Sequence, residues 1–144
     1  MEEKRIIKRF MSEAHSGGWL GINGLRDVIR SLKDGVAEMV ILTDDINYIH
    51  FQAKCKRCGN VQEKFVERHN LQKLKQEITS RPCPSCNTID LESTEVDIVD
   101  YLEELAIMTG AKLEVISAKT EEGAQLASLG KIGAILRFRP MANV

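Results

Sequence analysis

The feature that most constrains this chain is a set of four cysteines arranged as two Cys-x-x-Cys pairs. The first pair is Cys55 and Cys58, the second pair is Cys83 and Cys86, and 24 residues lie between them. Each pair can form a tight turn that directs two sulfur atoms to one point, so two turns supply the four thiolates of a tetrahedral site. The spacing therefore predicts one structural zinc ion held by all four cysteines.

The residues that follow the two pairs support this prediction. Gly59 follows the first pair and Asn87 follows the second, and both residue types accept the left-handed conformation that such a turn needs. A ribbon of about 35 residues buries too little apolar surface to fold alone. We therefore expect metal binding to contribute most of the stability of this ribbon.

Three other roles of the cysteines can be weighed against structural zinc. Disulfides are disfavoured because a cytosolic chain is kept reduced and two adjacent pairs suit a metal better. Catalytic zinc is disfavoured because four protein sulfurs leave no open position for water or substrate. A single iron held by the same thiolates stays open as an alternative, and it predicts an electron-transfer protein with visible colour and a reversible potential.

The length and composition indicate an ordinary folded protein with one main domain. The chain has 144 residues, of which 43% are hydrophobic and 28% are charged. No apolar run approaches the roughly 20 residues that span a bilayer. The charged start at residues 1–5 lacks the apolar stretch of a secretory signal, so we expect a cytoplasmic protein.

Charge is unevenly distributed along the chain, although the net charge is only -1. The segment 54–86 has eight basic and three acidic residues, a balance of +5, which leaves -6 for the rest. Four thiolates around one dication add -2, so the segment keeps a positive charge when metal is bound. It could therefore be attracted to phosphate. The alternative interpretation is an ordinary solvated surface. The basic residues are Lys54, Lys56, Arg57, Lys64, Arg68, Lys73, Lys75 and Arg81.

Periodic apolar residues predict helices and strands on both sides of the cysteine segment. Asn23 and either Ser93 or Thr94 are the expected caps of two helices, and Gly17 and Gly18 are expected to break the first helix. This alternation predicts a helix-covered sheet formed by 1–53 and 91–144, with 54–90 inserted as a separate ribbon. We expect helices over 6–14, 25–32, 98–108 and 120–129, and strands over 39–42, 48–53, 112–116 and 132–138.

No catalytic motif stands out in the sequence. The three histidines fall in a helix end, a predicted strand and the cysteine segment, and no serine or free cysteine forms an obvious nucleophilic pair with them. Asp44 and Asp45 are more typical of a turn than of an acid–base pair. We therefore expect a protein that is not an enzyme.

Two stretches outside the ribbon resemble a known family. The residues Gly24-Leu25-Arg26-Asp27-Val28, Leu32 and Gly35-Val36-Ala37-Glu38 resemble the C-terminal domain of class-1 peptide chain release factors, and the archaeal branch fits best. The stretches 120–126 and 130–139 are similar to the closing helix and strand of that domain, although Lys131 and Leu126 stand where glycine and phenylalanine are common. The paired cysteines fall where archaeal members carry a zinc-ribbon minidomain.

The resemblance implies a three-layer α/β/α sandwich with a mixed sheet and an inserted zinc ribbon. Release factors of this kind also carry a codon-reading domain and a Gly-Gly-Gln domain that promotes peptidyl-tRNA hydrolysis, and this sequence contains neither. The resemblance thus implies a non-catalytic domain of a translation termination factor. An alternative is a free-standing ribosomal or kink-turn-type RNA-binding protein, which predicts tight, salt-sensitive RNA affinity.

The resemblance also implies partners. The domain would dock a translational GTPase of the elongation-factor type and later an ATP-dependent recycling factor, while the basic ribbon would reach toward ribosomal RNA on the small subunit. No membrane and no small-molecule substrate are implied. By this analogy the GTPase would contact the early segment and the end of the chain, at Phe10, Leu25, Val36, Leu136, Arg137, Phe138 and Arg139.

Overall fold

The computed structural model of the protein describes residues 2–15 and 20–138. Arg139 and the expected helix break at Gly17 and Gly18 lie outside the described residues. Within the described ranges, no helix is both long and apolar enough to cross a membrane.

The described residues form five α-helices and seven β-strands. The helices are α1 (Glu2–His15), α2 (Leu25–Lys33), α3 (Leu71–Thr79), α4 (Ile98–Thr109) and α5 (Glu121–Ala127). A 3-10 helix, Arg68–Asn70, precedes α3. The strands are β1 (Gly21–Asn23), β2 (Ala37–Thr43), β3 (Tyr48–Cys55), β4 (Val61–Glu67), β5 (Leu91–Asp97), β6 (Lys112–Ile116) and β7 (Ile132–Leu136).

The chain divides into two compact units, and the division differs from the predicted one. The core unit is formed by the two ends of the chain, up to Ile46 and from Leu102, and the inserted unit is Asn47–Tyr101. The predicted insertion, 54–90, is too short because β3 pairs with β4 on one side and β5 on the other. A strand that is hydrogen-bonded along both edges belongs to the unit of its neighbours.

The sheet of the core unit has the strand order β1-β7-β2-β6. The β2–β6 pair is parallel, whereas β7 runs antiparallel to both of its neighbours, so the sheet is mixed as expected. Every residue of β2 except Glu38 is buried, as befits a central strand covered on both faces. The strand predicted over 39–42 thus lies inside β2, and its continuous apolar run is typical of a strand buried on both faces.

Helices cover both faces of this sheet and produce three layers. On one face, α1 and α5 pack against β2 and β7 around Ile7, Phe10, Ile41 and Ile135, which are at most 2% exposed. The buried residues of α2 pack against β1, β2 and β7 on the other face. The predicted α/β/α architecture of the core is therefore confirmed.

The inserted unit has its own sheet and its own apolar core. Its three strands have the order β4-β3-β5 and are all antiparallel. Helix α3 lies on one face, where Leu71 and Ile78 pack with Ile49, Phe51 and Ala53 of β3. The inserted unit therefore buries more apolar surface than the expected ribbon of about 35 residues, because α3 and both outer strands belong to it.

Several local signals were interpreted correctly and others were not. The helix predicted to start at Thr120 does begin there, since the Thr120 side chain caps α5 by accepting a hydrogen bond from the amide of Gly123 at 3.0 Å. Asn23 does not cap α2, because it lies in β1 and its side-chain amide donates to the carbonyl of Leu129 at 2.9 Å. Ser93 and Thr94 do not cap α4 because both lie inside β5.

Candidate metal centre

The four cysteine sulfurs lie together in the inserted unit. All four Sγ atoms are within 4.8 Å of one another. The Sγ atoms of Cys55 and Cys86 are 3.5 Å apart, and those of Cys58 and Cys83 are also 3.5 Å apart. The structure thus brings the two distant pairs to one point, with sulfurs of different pairs in contact.

Each Cys-x-x-Cys pair forms a turn held by its own backbone. In the first knuckle (55–60), the amide of Gly59 donates to the carbonyl of Cys55 at 2.9 Å. In the second knuckle (83–88), the amide of Asn87 donates to the carbonyl of Cys83 at 2.8 Å. Gly59 has φ 78° and Asn87 has φ 63°, so both adopt the left-handed conformation expected from the sequence.

The knuckles aim backbone N–H groups at the sulfurs. The pKa of Cys55 is lowered to about 6, first because the amide of Cys58 donates to its sulfur and then because the amide of Arg57 does so. The pKa of Cys86 is also lowered, first by the hydroxyl of Thr88 and then by the amide of Thr88. Such donors stabilise a thiolate, which is the form that binds metal.

The pKa of Cys58 is shifted in the opposite direction. The amide of Asn60 favours its thiolate, but lost hydration and the neighbouring sulfurs outweigh that effect and raise the pKa of Cys58 to about 11. Four thiolates this close together repel one another unless a positive charge lies between them.

The donor set and its dimensions fit a tetrahedral thiolate-bound ion. A zinc ion at about 2.3 Å from each sulfur would place neighbouring sulfurs about 3.8 Å apart. The 3.5 Å separations between the two pairs are close to this value. Cys55 and Cys83 are buried while Cys58 and Cys86 are exposed, so each knuckle contributes one buried and one exposed ligand. These four residues could hold a metal ion.

Sequence reasoning missed one residue of this site. Thr88 is half-buried, and its Oγ1 lies 2.6 Å from Sγ of Cys86 and 4.0 Å from Sγ of Cys55. A threonine two residues after a cysteine carries no signal by itself. Only the fold shows that its hydroxyl faces the sulfurs.

Two predicted partner-binding residues are part of the core. Phe10 is 0% exposed and packs with α5 and the central strands, and Leu136 in β7 is 3% exposed. Neither side chain can contact a partner from these positions. The prediction for these two residues is wrong because apolar residues at helix or strand period face the interior.

The other predicted partner residues lie in two places. Val36, Arg137 and Phe138 are neighbours at one end of β7, where the amide of Arg137 donates to the carbonyl of Val36 at 2.8 Å. Leu25 begins α2 beyond the opposite end of β7, where the amide of Gly24 donates to the carbonyl of Ile132 at 3.2 Å. Five residues of strand separate the two places by on the order of 15 Å.

Arg137 and Phe138 differ in what else they do. The guanidinium of Arg137 donates to the carbonyl of Thr109 at 2.9 Å and to that of Gly35 at 3.3 Å. These carbonyls lie at the C-terminal end of α4 and just beyond that of α2, so the Arg137 guanidinium satisfies backbone acceptors that have no partner within the two helices. Phe138 is 55% exposed, so its ring is free to meet a partner.

Asp44 and Asp45 are used structurally. Oδ1 of Asp44 accepts from the amide of Ala118 at 2.9 Å. The Asp45 carboxylate accepts from the hydroxyl of Thr43 at 2.7 Å and from Nζ of Lys131 at 3.2 Å. The two carboxylates therefore hold a turn, as the sequence indicated.

Comparisons with known proteins agree with the architecture. The family model for eRF1 domain 3 matches residues 1–140. Peptide chain release factor subunit 1 of Methanocaldococcus jannaschii is 33% identical over 141 residues, which cover 96% of this chain and 34% of that protein. The chain thus spans about a third of the length of this relative.

Solved structures show the same fold. The C-terminal domain of a peptide chain release factor from Methanosarcina mazei has a TM-score of 0.80 at 27% identity, covering 96% of this chain and 83% of that one. A structure described as a model of ribosome-bound archaeal Pelota and ABCE1 has a TM-score of 0.53 at 19% identity, covering 96% of this chain and 26% of that one. At that identity the second likeness shows the fold alone.

Proposed function

The chain belongs to the eRF1 domain 3 family, and from this premise we propose that it is a non-catalytic docking domain of a translation termination factor. Its core unit would dock a translational GTPase of the elongation-factor type, and its inserted unit would help to position the factor on the ribosome in the cytoplasm. The family match over residues 1–140 carries this proposal.

The surface best suited to the GTPase is the end of β7. There Val36 is half-buried and Phe138 is 55% exposed. Aromatic side chains that stand out from a surface dominate the energy of many protein interfaces. Phe138 is therefore the proposed anchor, with Val36 beside it and Arg137 holding the local backbone.

The cysteine cluster would hold one structural zinc ion. Four thiolates in two matched knuckles suit zinc, and a full set of protein ligands leaves no place for substrate. The ion would cross-link the end of β3 to the loop before β5, since Cys55 ends β3 and Cys86 lies in that loop. Zinc would thus fix the tip of the inserted unit, which is formed by the two knuckles, 55–60 and 83–88.

A ribosome-facing role is supported by the exposed side chains of Lys56 and Arg57 in the first knuckle and by a ribosome-bound protein of the same fold. That protein was also described together with ABCE1. An ATP-dependent recycling factor is therefore proposed as a second, later partner of the core unit.

The alternative of a free-standing RNA-binding protein is less well supported. The whole inserted unit has eight basic and eight acidic residues, because the acidic residues of β5 and its neighbours offset the basic segment. Arg68 pairs with Asp97 at 2.9 Å and Lys75 pairs with Glu95 at 3.2 Å. A unit that is neutral and internally paired lacks the strong positive field that drives tight RNA binding.

The proposal is tested by binding of the purified chain to the archaeal elongation-factor-type GTPase in its GTP form, with zinc content measured on the same sample. We expect one zinc per chain and saturable binding. Phe138→Ala should weaken binding about tenfold or more. Val115→Ala is the matched control, because Val115 is also apolar and exposed (45%) but pairs with Leu42 near the far end of β2.

One result would overturn the GTPase proposal, and a second would overturn only the proposed anchor. A folded, zinc-loaded chain that does not bind the GTPase would show that this chain alone is not the docking domain. Equal binding by Phe138→Ala and Val115→Ala would remove Phe138 from the interface. Tight RNA binding that falls steeply with salt would instead favour the RNA-binding alternative.

A further inference from the structure

Thr88 contacts three of the four cysteines through two of its atoms. Its hydroxyl lies 2.6 Å from Sγ of Cys86 and 4.0 Å from Sγ of Cys55. Its carbonyl accepts from the amide of Cys83 at 2.8 Å. The residue therefore joins the backbone of the second knuckle to a sulfur of each knuckle.

The first knuckle provides an internal comparison. Asn60 occupies the position equivalent to Thr88, since its carbonyl accepts from the amide of Cys55 at 2.9 Å. In the described part of the chain, however, the Asn60 side chain makes no hydrogen bond to sulfur. Each knuckle has one exposed cysteine, Cys58 or Cys86, and among the described residues a hydroxyl lies against the sulfur of Cys86 but not against that of Cys58.

We propose that Thr88 is a positioning residue of the metal centre, whose hydroxyl holds the exposed Cys86 thiolate in place and makes it less reactive. This inference rests on the proposed metal centre. A thiolate has no proton to donate, so the Thr88 hydroxyl is the donor and Cys86 the acceptor. The hydrogen bond draws charge from the sulfur, orients it and lowers its nucleophilicity, as partners of metal ligands commonly do.

The test compares variants of the full chain loaded with zinc. Thr88→Val removes the hydroxyl and keeps the shape, and we expect it to lower zinc affinity about 10-fold to 100-fold in competition with a chromophoric chelator. Thr88→Ser keeps the hydroxyl and should stay close to the wild type. Asn60→Ala is the matched control in the first knuckle, and it should also stay close because its carbonyl is retained.

A second readout separates positioning from general loosening of the site. The zinc-loaded chain is treated with iodoacetamide, and the modified cysteines are identified by peptide mass spectrometry. In the wild type we expect Cys58 to react before Cys86, because both are exposed but only Cys86 is held by a hydroxyl. In Thr88→Val we expect Cys86 to react at least as fast as Cys58.

The outcomes distinguish this inference from the metal centre itself. A wild-type chain that binds no metal would overturn both. A wild type that binds zinc, with Thr88→Val unchanged in affinity and in the order of alkylation, would overturn the role of Thr88 alone. If Thr88→Val fails to fold, which circular dichroism detects, Thr88→Ala is compared with Thr88→Ser, since only the serine variant keeps the hydroxyl. Equal zinc affinity of these two variants would overturn the positioning role of Thr88.

Discussion

The ring of Phe10 packs directly against the backbone of Gly133, where a Cβ atom would lie 2.5 Å from Cζ of the ring. Phe10 is fully buried and joins α1 to β7. A residue that resemblance to the family had assigned to a partner surface is thus a central packing residue of the core. The contact also explains why glycine stands inside a buried strand.

Gly133→Ala should therefore destabilise the core unit. The added methyl group has to displace the Phe10 ring, so we expect the free energy of unfolding to fall by about 1–3 kcal/mol. The measurement is urea denaturation followed by circular dichroism. Combining Gly133→Ala with Phe10→Leu should recover part of the loss, and strictly additive effects would contradict the contact.

The sequence predicted some features well because they depend on local patterns. The Cys-x-x-Cys turns need only neighbouring residues, and the apolar run of β2 has the same meaning in any buried strand. The boundary of the inserted unit could not be predicted, because the pattern of β3 does not reveal which strands it pairs with. Ser93 and Thr94 suggested a helix cap, whereas pairing with β3 placed both in β5. Thr88 was missed because its role depends on a contact made only in the folded chain.

Lys131 has φ 70°, an uncommon conformation for a residue with a side chain. Glycine is common at this position in the family that the sequence resembles. We expect Lys131→Val to lower the free energy of unfolding by about 1–2 kcal/mol, because a β-branched residue is poorly tolerated there. Lys131→Gly should change it by less than about 1 kcal/mol, since relief of strain offsets the lost ion pair and the added flexibility. Equal effects of the two variants in urea denaturation would contradict this explanation.

The pKa of Asp45 is lowered, first by the hydrogen bond from Thr43 and then by Lys131. Because the folded pKa lies below the unfolded one, the carboxylate stabilises the fold above the unfolded pKa, and this contribution is lost as pH falls through the folded pKa. We expect Thr43→Val and Lys131→Gly each to raise the pKa of Asp45, because each removes a group that favours the carboxylate. Carboxyl NMR titration measures both shifts, and an unchanged pKa in either variant would contradict the contact that it removes.

Metal affinity should fall as pH falls, since protons compete with the metal for the thiolates. Cys55, with a pKa of about 6, is already ionised near neutral pH, whereas Cys58, with a pKa of about 11, must lose a proton on binding. Each such thiol lowers the logarithm of the affinity by roughly one for each unit by which the pH falls. Chelator competition at several pH values measures the slope. An affinity that does not change with pH would argue against thiolate ligation by protonated cysteines.

Removing the metal should loosen the tip of the inserted unit more than its sheet. Cys83→Ser, or a strong chelator, removes the cross-link between the two knuckles, 55–60 and 83–88. The apolar packing of Leu71 and Ile78 on β3 does not depend on the ion. We expect hydrogen exchange to speed up first in the two knuckles and less in β3, while β2 of the core unit keeps its protection. Loss of protection in β2 at the same rate as in the knuckles would mean that the two units unfold together. Equal loss in β3 and in the knuckles would mean that the ion, more than the packing of α3, stabilises the inserted unit.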